Sequence, residues 1–340
     1  MVETRGGGVK RQRFGHIYND IISLDNLLIS WQEFLCGKRN RKDVAEFSLH
    51  FMDHVLLLYQ ELINKTYQHG AYQAFKINDP KPRDIHKACV RDRIVHHAIY
   101  RSLYPFFERQ FVYDSYSCRD DKGTHRAVRR LRSFANIVSH NYTTTAWILK
   151  CDIRKFFASI DHAILKNILS RYIVDKDIIW LLGQIIDSFS IDKENTVGLP
   201  LGNLTSQLLV NIYMNEFDQF MKRDLKVKYY IRYADDFLIL SRDKNYLENL
   251  LLQIAKFLNN DLKLSLNYSK VSIKTLSSGV DFLGWVNFPH HRVLRTKTKQ
   301  RMFKKLAKKR SKESVNSYFG MLSHGDAYEI EQFIQKCITF

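Results

Sequence analysis

Two adjacent acids, Asp235 and Asp236, interrupt a stretch that otherwise reads as a β-hairpin, with Tyr229-Tyr230-Ile231-Arg232-Tyr233-Ala234 before them and Phe237-Leu238-Ile239-Leu240 after. The apolar frame predicts two strands and a tight turn. Ionised groups at the rim of a packed core need a partner or a cation, so the pair predicts a metal site. A polar turn is the alternative, since Asp is a common turn residue. A third acid, Asp152, closes the apolar segment Leu149-Lys150-Cys151-Asp152, and the chain beyond it turns helical through Ile164, Leu165 and Ile168. Asp152 and Asp235, at the ends of two neighbouring strands, suit a pair of Mg²⁺ ions about 3.5–4 Å apart, the arrangement that stabilises attacking and leaving oxygens in phosphoryl transfer. Mg²⁺ takes oxygen ligands and leaves room for substrate phosphates.

The rest of the composition fits a polyanionic partner. Fifty-three Lys and Arg against 35 Asp and Glu give a formal charge of +18 over 340 residues, which predicts strongly salt-dependent binding to nucleic acid. No apolar run approaches the roughly 18 residues of a spanning helix, and the N-terminus lacks a secretory design, so no membrane contact and a cytoplasmic location are expected. Five scattered cysteines, Cys36, Cys89, Cys118, Cys151 and Cys337, contain no Cys-x-x-Cys pair and indicate neither a disulfide framework nor a zinc site. His96-His97 and His290-His291 are adjacent pairs, read as surface or nucleic-acid contacts.

Along the chain, residues 1–14 hold three glycines in a row and the cations Arg5, Lys10, Arg11 and Arg13, a flexible basic arm in composition. Apolar spacing from His16 to about Tyr67 predicts two or three helices. Asp79-Pro80-Lys81-Pro82-Arg83 is a proline-stiffened turn with two cations, and Ala127, Val128, Leu131 and Phe134 share one helical face suited to core packing. Ten basic residues and no acid lie between Arg295 and Lys312, with Phe303, Leu306 and Ala307 on a common face. So dense a run of one sign favours binding a nucleic-acid backbone, with a solvated helix as the alternative.

Tyr233-Ala234-Asp235-Asp236, the segment from Asp152 to Phe157, and Gly279-Val280-Asp281-Phe282-Leu283-Gly284-Trp285 occur in the order and spacing of a reverse transcriptase palm. From about residue 75 onward the chain resembles an RNA-directed DNA polymerase. The resemblance implies an α+β right-hand polymerase with fingers, a palm of antiparallel sheet plus helices, and a helical thumb. It divides the chain into the arm 1–14, N-terminal helices and fingers 15–140, palm 141–288 and thumb 289–340. It implies that Asp152, the Ile153 carbonyl, Asp235 and Asp236 serve two Mg²⁺ ions, for which Mn²⁺ can substitute, with Asp236 either completing the site or tuning its charge. Lys81 and Arg83 would neutralise the dNTP triphosphate, Phe157 would exclude ribonucleotides at the sugar 2′ position, and Phe156, pointing the other way on an extended segment, would join the core. Tyr233 would touch the primer terminus, Arg119 would brace the site or template, Gly284 and Trp285 belong to the primer grip, and Lys304, Lys305 and Lys308 would follow the backbone of an RNA/cDNA duplex. Lys270 would protonate departing pyrophosphate. The plain alternatives are a solvated turn for Lys81 and Arg83, packing for Tyr233, and an exposed strand lysine for Lys270.

The segment Leu199-Pro200-Leu201-Gly202-Asn203-Leu204-Thr205-Ser206-Gln207 discriminates among relatives. Most place Gln before that glycine and Pro after that serine, whereas this chain has Leu201 before Gly202 and Gln207 after Ser206. Both departures resemble the reverse transcriptases of bacterial and phage diversity-generating retroelements, which copy a template RNA with errors opposite adenine. That resemblance implies a small, basic, helical and oligomeric accessory protein as partner; with the sequence closing soon after the expected thumb, no RNase H, maturase or endonuclease region is expected. A retron, intron-like or antiviral reverse transcriptase of ordinary fidelity, and an inactive RNA-binding scaffold, are the competing readings.

Overall fold

The hairpin around the paired acids forms as its sequence requires, and the elements around it alternate between two compact units. The computed structural model describes residues 12–78, 82–191, 196–308 and 311–338. In chain order, the first unit begins with helices α1 (Tyr18–Ile22), α2 (Leu24–Leu35), α3 (Lys42–Leu49) and α4 (Phe51–Ile63), then strands β1 (Gln73–Ile77) and β2 (Arg83–Lys87) and helix α5 (Val90–Glu108). The second unit opens with α6 (Thr124–Val138) and β3 (Trp147–Asp152). The chain returns to the first for α7 (His162–Tyr172), α8 (Lys176–Asp187) and α9 (Leu204–Gln219), then re-enters the second for β4 (Tyr230–Tyr233) and β5 (Asp236–Ser241). Helix α10 (Lys244–Leu262) carries the next boundary, after which β6 (Ser272–Thr275), β7 (Val280–Phe282), β8 (Trp285–Asn287), β9 (Arg292–Leu294), α11 (Thr296–Lys308), α12 (Lys312–Leu322) and α13 (Tyr328–Ile338) complete the second unit.

In the first unit, the expected two or three N-terminal helices are four. Ser23 ends α1 and caps α2 by accepting from the Asn26 N–H, and His50 separates α3 from α4. Helix α5 buries Ile94, Val95, Ala98, Ile99 and Leu103. That breadth of burial corrects the surface reading of His96. Its ring is fully enclosed, with Nε2 3.2 Å from Nε2 of His69, and burial holds it well below the ordinary histidine value, so it is a neutral core group. His97 is half-buried against Phe34, and burial, followed by Lys38 and Arg93, lowers it to about 4.

Asp161 caps α7 by accepting from the Ile164 N–H and receives Lys263 Nζ at 2.7 Å. Partial burial alone would raise its carboxyl, but the Lys263 and backbone hydrogen bonds outweigh that and hold it below the ordinary 3.8. A carboxyl depressed in the folded state contributes stability above its unfolded value and loses it as pH falls through the folded one. Lys263→Met is therefore expected to lower stability at neutral pH, with the gap from wild type closing as pH falls from the ordinary 3.8 through the lowered folded value. Urea unfolding across that range checks this; a pH-independent gap would contradict it.

The second unit is built on a four-stranded antiparallel sheet of order β4-β5-β3-β6 and a three-stranded sheet of order β7-β8-β9. Alternation puts Ile148, Leu238 and Leu240 into one hydrophobic cluster with the Ala127, Val128, Leu131 and Phe134 face of α6, which confirms the packing read from that helix. The same cluster takes in Phe282, Trp285, Met302, Leu306, Val315, Leu322 and Ile334, so the last three helices share a core with the sheet. Each such fully buried side chain contributes roughly 1.5–3 kcal/mol. The buried stripe of α11 is Met302 and Leu306 with Phe303 beside it, while Ala307 is exposed, one step off the expected face.

Gly325 crosses Trp285 so closely that a β-carbon there would lie 2.1 Å from Trp285 Cζ3. Gly325→Ala should cost about 1–3 kcal/mol through forced repacking, measured by urea unfolding followed by circular dichroism; unchanged stability would show that the ring shifts freely. Among the described residues, no helix is long and apolar enough to cross a membrane.

Candidate active site

Register decides which acids meet. Strand β3 pairs antiparallel with β5 so that Asp152 lies directly opposite Asp236, and β4 pairs with β5 so that Tyr233 faces Asp236. Only Ala234 and Asp235 remain in the turn, with Ala234 at φ 54. The sequence reading brought Asp152 to Asp235; in the structure Asp236 is its cross-strand partner and Asp235 is one residue further out. Opposed residues in such a pair have β-carbons roughly 5 Å apart.

The electrostatics follow from that crowding. Burial lifts the Asp236 carboxyl to about 6, against the pull of Lys150 and Lys270 and with the push of the Asp235 and Asp152 charges. Asp152 is itself buried and has a cation on it: Lys270 Nζ lies 2.7 Å from both carboxylate oxygens, and Asn267 Nδ2 donates to Oδ1 at 3.2 Å. Lys270 ends the 3-10 turn Tyr268–Lys270 ahead of β6, so it is not a strand lysine. Among the described residues, no group of three or more His, Cys, Asp or Glu side chains is arranged to hold a metal ion. The donor chemistry nonetheless suits a hard cation: Asp152 and Asp236 face each other at adjoining strand ends with Asp235 in the turn beside them, and burial, reinforced by the charges of the other two, drives Asp236 towards its neutral form.

Arg232 was missed by the sequence reading. It is 1 % exposed, and its Nη1 donates to the Ala234 carbonyl at 3.1 Å, so a buried guanidinium holds the turn that carries Asp235. The signal was a cation inside the apolar run Tyr230 to Tyr233. Its backbone is pinned on the open side of β4, with its N–H donating to Asp114 O and its carbonyl accepting from Tyr116, both at 2.9 Å. Arg119 holds this same flank, donating from Nη1 to the Ser115 carbonyl at 2.8 Å. Tyr233 is half-buried.

Within the first unit, the predicted nucleotide-contacting residues are drawn together by backbone bonds. The Leu199 N–H donates to Phe157 O at 2.8 Å, and the His86 N–H of β2 donates to Leu201 O at 2.9 Å. Asn203 clamps the same strand from its side chain, donating to His86 O at 2.8 Å and accepting from Ala88 N–H at 3.2 Å. Gly202 sits at φ +107, and a β-carbon there would lie 2.7 Å from Ile85 Cγ2, so the turn needs glycine for both conformation and space. Phe157, Leu201, Gly202 and the strand that begins at Arg83 thus form one connected surface; Gln207 lies in the first turns of α9 and Ile153 is buried. Phe157 is on a 3-10 turn, Phe156–Ser159, entered through Lys155 at φ 46, not on an extended segment. Phe156 is buried as expected. Lys81 lies outside the described residues.

In the second unit, Gly284 has a local reason. Phe282 pairs with Trp285 across a two-residue turn in which Leu283 and Gly284 sit at φ 51 and 89, the backbone of a type I′ hairpin. Trp285 is 6 % exposed and belongs to the core. Lys304, Lys305 and Lys308 are exposed on α11.

The model of the family described as "Reverse transcriptase (RNA-dependent DNA polymerase)" matches residues 75–286. Protein YkfC of Escherichia coli (strain K12) is 28% identical over 283 residues, covering 72% of each chain. The group II intron-encoded protein LtrA of Lactococcus lactis subsp. cremoris is 23% identical over 277 residues, 62% of this chain and 45% of LtrA. The fold is similar to that of apo telomerase from Candida tropicalis, truncated from its C-terminal domain, with a TM-score of 0.50 at 13% identity over 72% of this chain and 60% of that one.

Proposed function

Because the chain belongs to the reverse transcriptase family, and is thus an RNA-directed DNA polymerase, we propose that Asp152, Asp235 and Asp236 hold two divalent cations, Mg²⁺ or Mn²⁺, at which a primer is extended along an RNA template. The observation that carries this reading is the register that sets Asp152 opposite Asp236, with Asp235 in the adjoining turn. When bound, such cations supply charge stabilisation for the attacking 3′-hydroxyl and the leaving pyrophosphate. The chain's own groups do the rest. Ile153 offers its carbonyl to the nucleotide side, Arg83 and Lys81 neutralise the triphosphate, and Phe157 stands against the sugar. Lys270, already positioned on Asp152, donates a proton to the departing pyrophosphate. Tyr233, Arg119, Gly284, Trp285 and the lysines of α11 position primer and template.

We further assign the chain to the diversity-generating class, with its template RNA and a small basic helical partner. Leu201 supports this: its carbonyl is fixed to β2 and its side chain has no polar atom to hold a nucleotide or templating base. Discrimination rests on differential transition-state binding, and a lost polar contact reduces it. In primer extension on a defined RNA with all four dNTPs, sequenced products should show errors concentrated opposite adenine. Leu201→Gln should lower those errors by roughly tenfold. Equal error rates in the two proteins would remove Leu201 from the account, and faithful wild-type DNA would instead favour an intron-type enzyme of ordinary fidelity, the second reading that the similarity to LtrA supports.

A further inference from the structure

A cleft of about 470 Å³ in the second unit is lined by three arginines, three histidines and a single acid. None of its lining residues belongs to the site described above. One wall is α6, where His125, Arg129 and Arg132 follow one another at four- and three-residue steps and so share a helical face. The opposite wall is Arg292 of β9 and the turn Ser323–Asp326, which are tied together: Arg292 Nε donates to the His324 carbonyl, and the Asp326 N–H donates to Arg292 O at 2.8 Å. His324 in turn lies with its ring centroid 3.9 Å from that of His125. Between the walls is an apolar floor that includes Val128, Leu131 and Leu276.

Among the described residues these cations meet no carboxylate; Arg292 is held by the His324 carbonyl and lies 5.2 Å over the Trp285 ring. Among the described residues, neither Arg129, Arg132 nor Arg292 forms an ion pair, and the one acid of the lining, Asp326, pairs with none of them. Burial and then the charges of Arg132 and Arg129 pull Arg292 below the ordinary arginine value, a sign of how closely like charges are gathered. Such a gathering is unfavourable without an anion. The rim is aromatic. Tyr142 is delivered by three successive left-handed residues, His140, Asn141 and Tyr142 at φ 48, 57 and 65, and its ring meets His290 at 5.0 Å. Phe288 stacks on His291 at 4.8 Å. Cations around an apolar floor with ring faces at the edge are the features that single-stranded nucleic acid uses, phosphates on the cations and bases on the rings.

We propose that this cleft binds phosphate esters, with Arg129, Arg132 and Arg292 on phosphate oxygens and Tyr142 and Phe288 beside the base, and that it holds a single-stranded segment of nucleic acid outside the polymerase centre. The test uses the full chain with its polymerase cleft first filled by unlabelled primer–template duplex, then titrated with a fluorescent single-stranded RNA. The double variant Arg129→Gln/Arg132→Gln should bind that RNA roughly tenfold more weakly, and the slope of log affinity against log salt should fall by about 1.4, two phosphate contacts' worth. Arg126→Gln, an exposed arginine of α6 that does not line the cleft, should leave both unchanged, and Arg292→Gln provides a second probe from the other wall. In parallel, thermal unfolding is followed with inorganic pyrophosphate. Protection of wild type but not of the double variant, with RNA binding unaltered, would retain the phosphate site and identify a free phosphate compound as its ligand. RNA affinity, salt slope and pyrophosphate protection all equal to wild type in a folded double variant would overturn the proposal.

Discussion

Asp235→Ala is expected to stop primer extension, lowering the single-turnover rate on the order of a thousandfold or more, while leaving thermal unfolding close to wild type. The asymmetry follows from where the residue sits. Asp235 lies in the two-residue turn between β4 and β5, outside the paired register of either strand, so its removal leaves the ladder intact. Three carboxylates concentrate negative charge there, and Asp235 is the most outlying of them. Asp152→Asn should be comparably inactive for two reasons at once, since it neutralises a ligand of the proposed cations and deprives Lys270 of the carboxylate that positions its ammonium. A variant at Asp235 that keeps more than about a tenth of the wild-type rate would remove it from the catalytic set, because a loss of one metal ligand costs several kcal/mol of transition-state stabilisation.

Arg232→Met should lose both stability and activity, in contrast to Asp235→Ala. The methionine roughly preserves the aliphatic stem but removes the guanidinium that donates to the Ala234 carbonyl from a fully buried position. Leaving the polar groups around it without their charged donor costs roughly 3 kcal/mol or more. The turn carrying Asp235 then loses the bond that fixes it, and primer extension should fall even at temperatures where the variant remains folded. Arg232→Lys should be intermediate, since a lysine keeps the charge but not the fork of donors. Urea unfolding and primer extension on the same preparations decide the matter. An Arg232→Met protein that is as stable and as active as wild type would show that the turn holds itself.

Much of the second unit was legible because its chemistry conflicts with its surroundings. Two acids in an apolar hairpin, and one more at the end of an apolar strand, stand out in a sequence, and the amphipathic face of α6 follows from spacing alone. Arg232 was hidden by the opposite logic. A cation on a strand reads as solvent-facing, and only the fold shows that its partner is a carbonyl two residues on. His96 failed likewise: adjacent histidines suggest exposure, yet a helix buried over so much of its circumference as α5 encloses one of them. Gly325 looks like an ordinary turn glycine in Ser-His-Gly-Asp; the reason for it is an indole ring 40 residues earlier in the chain. The 3-10 turn that carries Phe157 depends on Lys155 adopting a left-handed backbone, which no spacing rule announces. The pairing of Leu201 with β2 joins segments more than 100 residues apart, and single-sequence patterns carry no such information.

The strand order β4-β5-β3-β6 places the first-made strand in the middle of the sheet. On the ribosome, β3 emerges with Asp152 at its end, whereas β5 begins at residue 236 and β6 at residue 272. At about 5–20 residues per second, the nascent Ile-Leu-Lys-Cys segment waits roughly 4–17 s for its first neighbour. During that interval both of its edges are open to pairing with other chains. Cells making this protein should therefore need chaperone cover for the interval before residue 241 is synthesised, and slowing translation within residues 153–235 should raise the insoluble fraction.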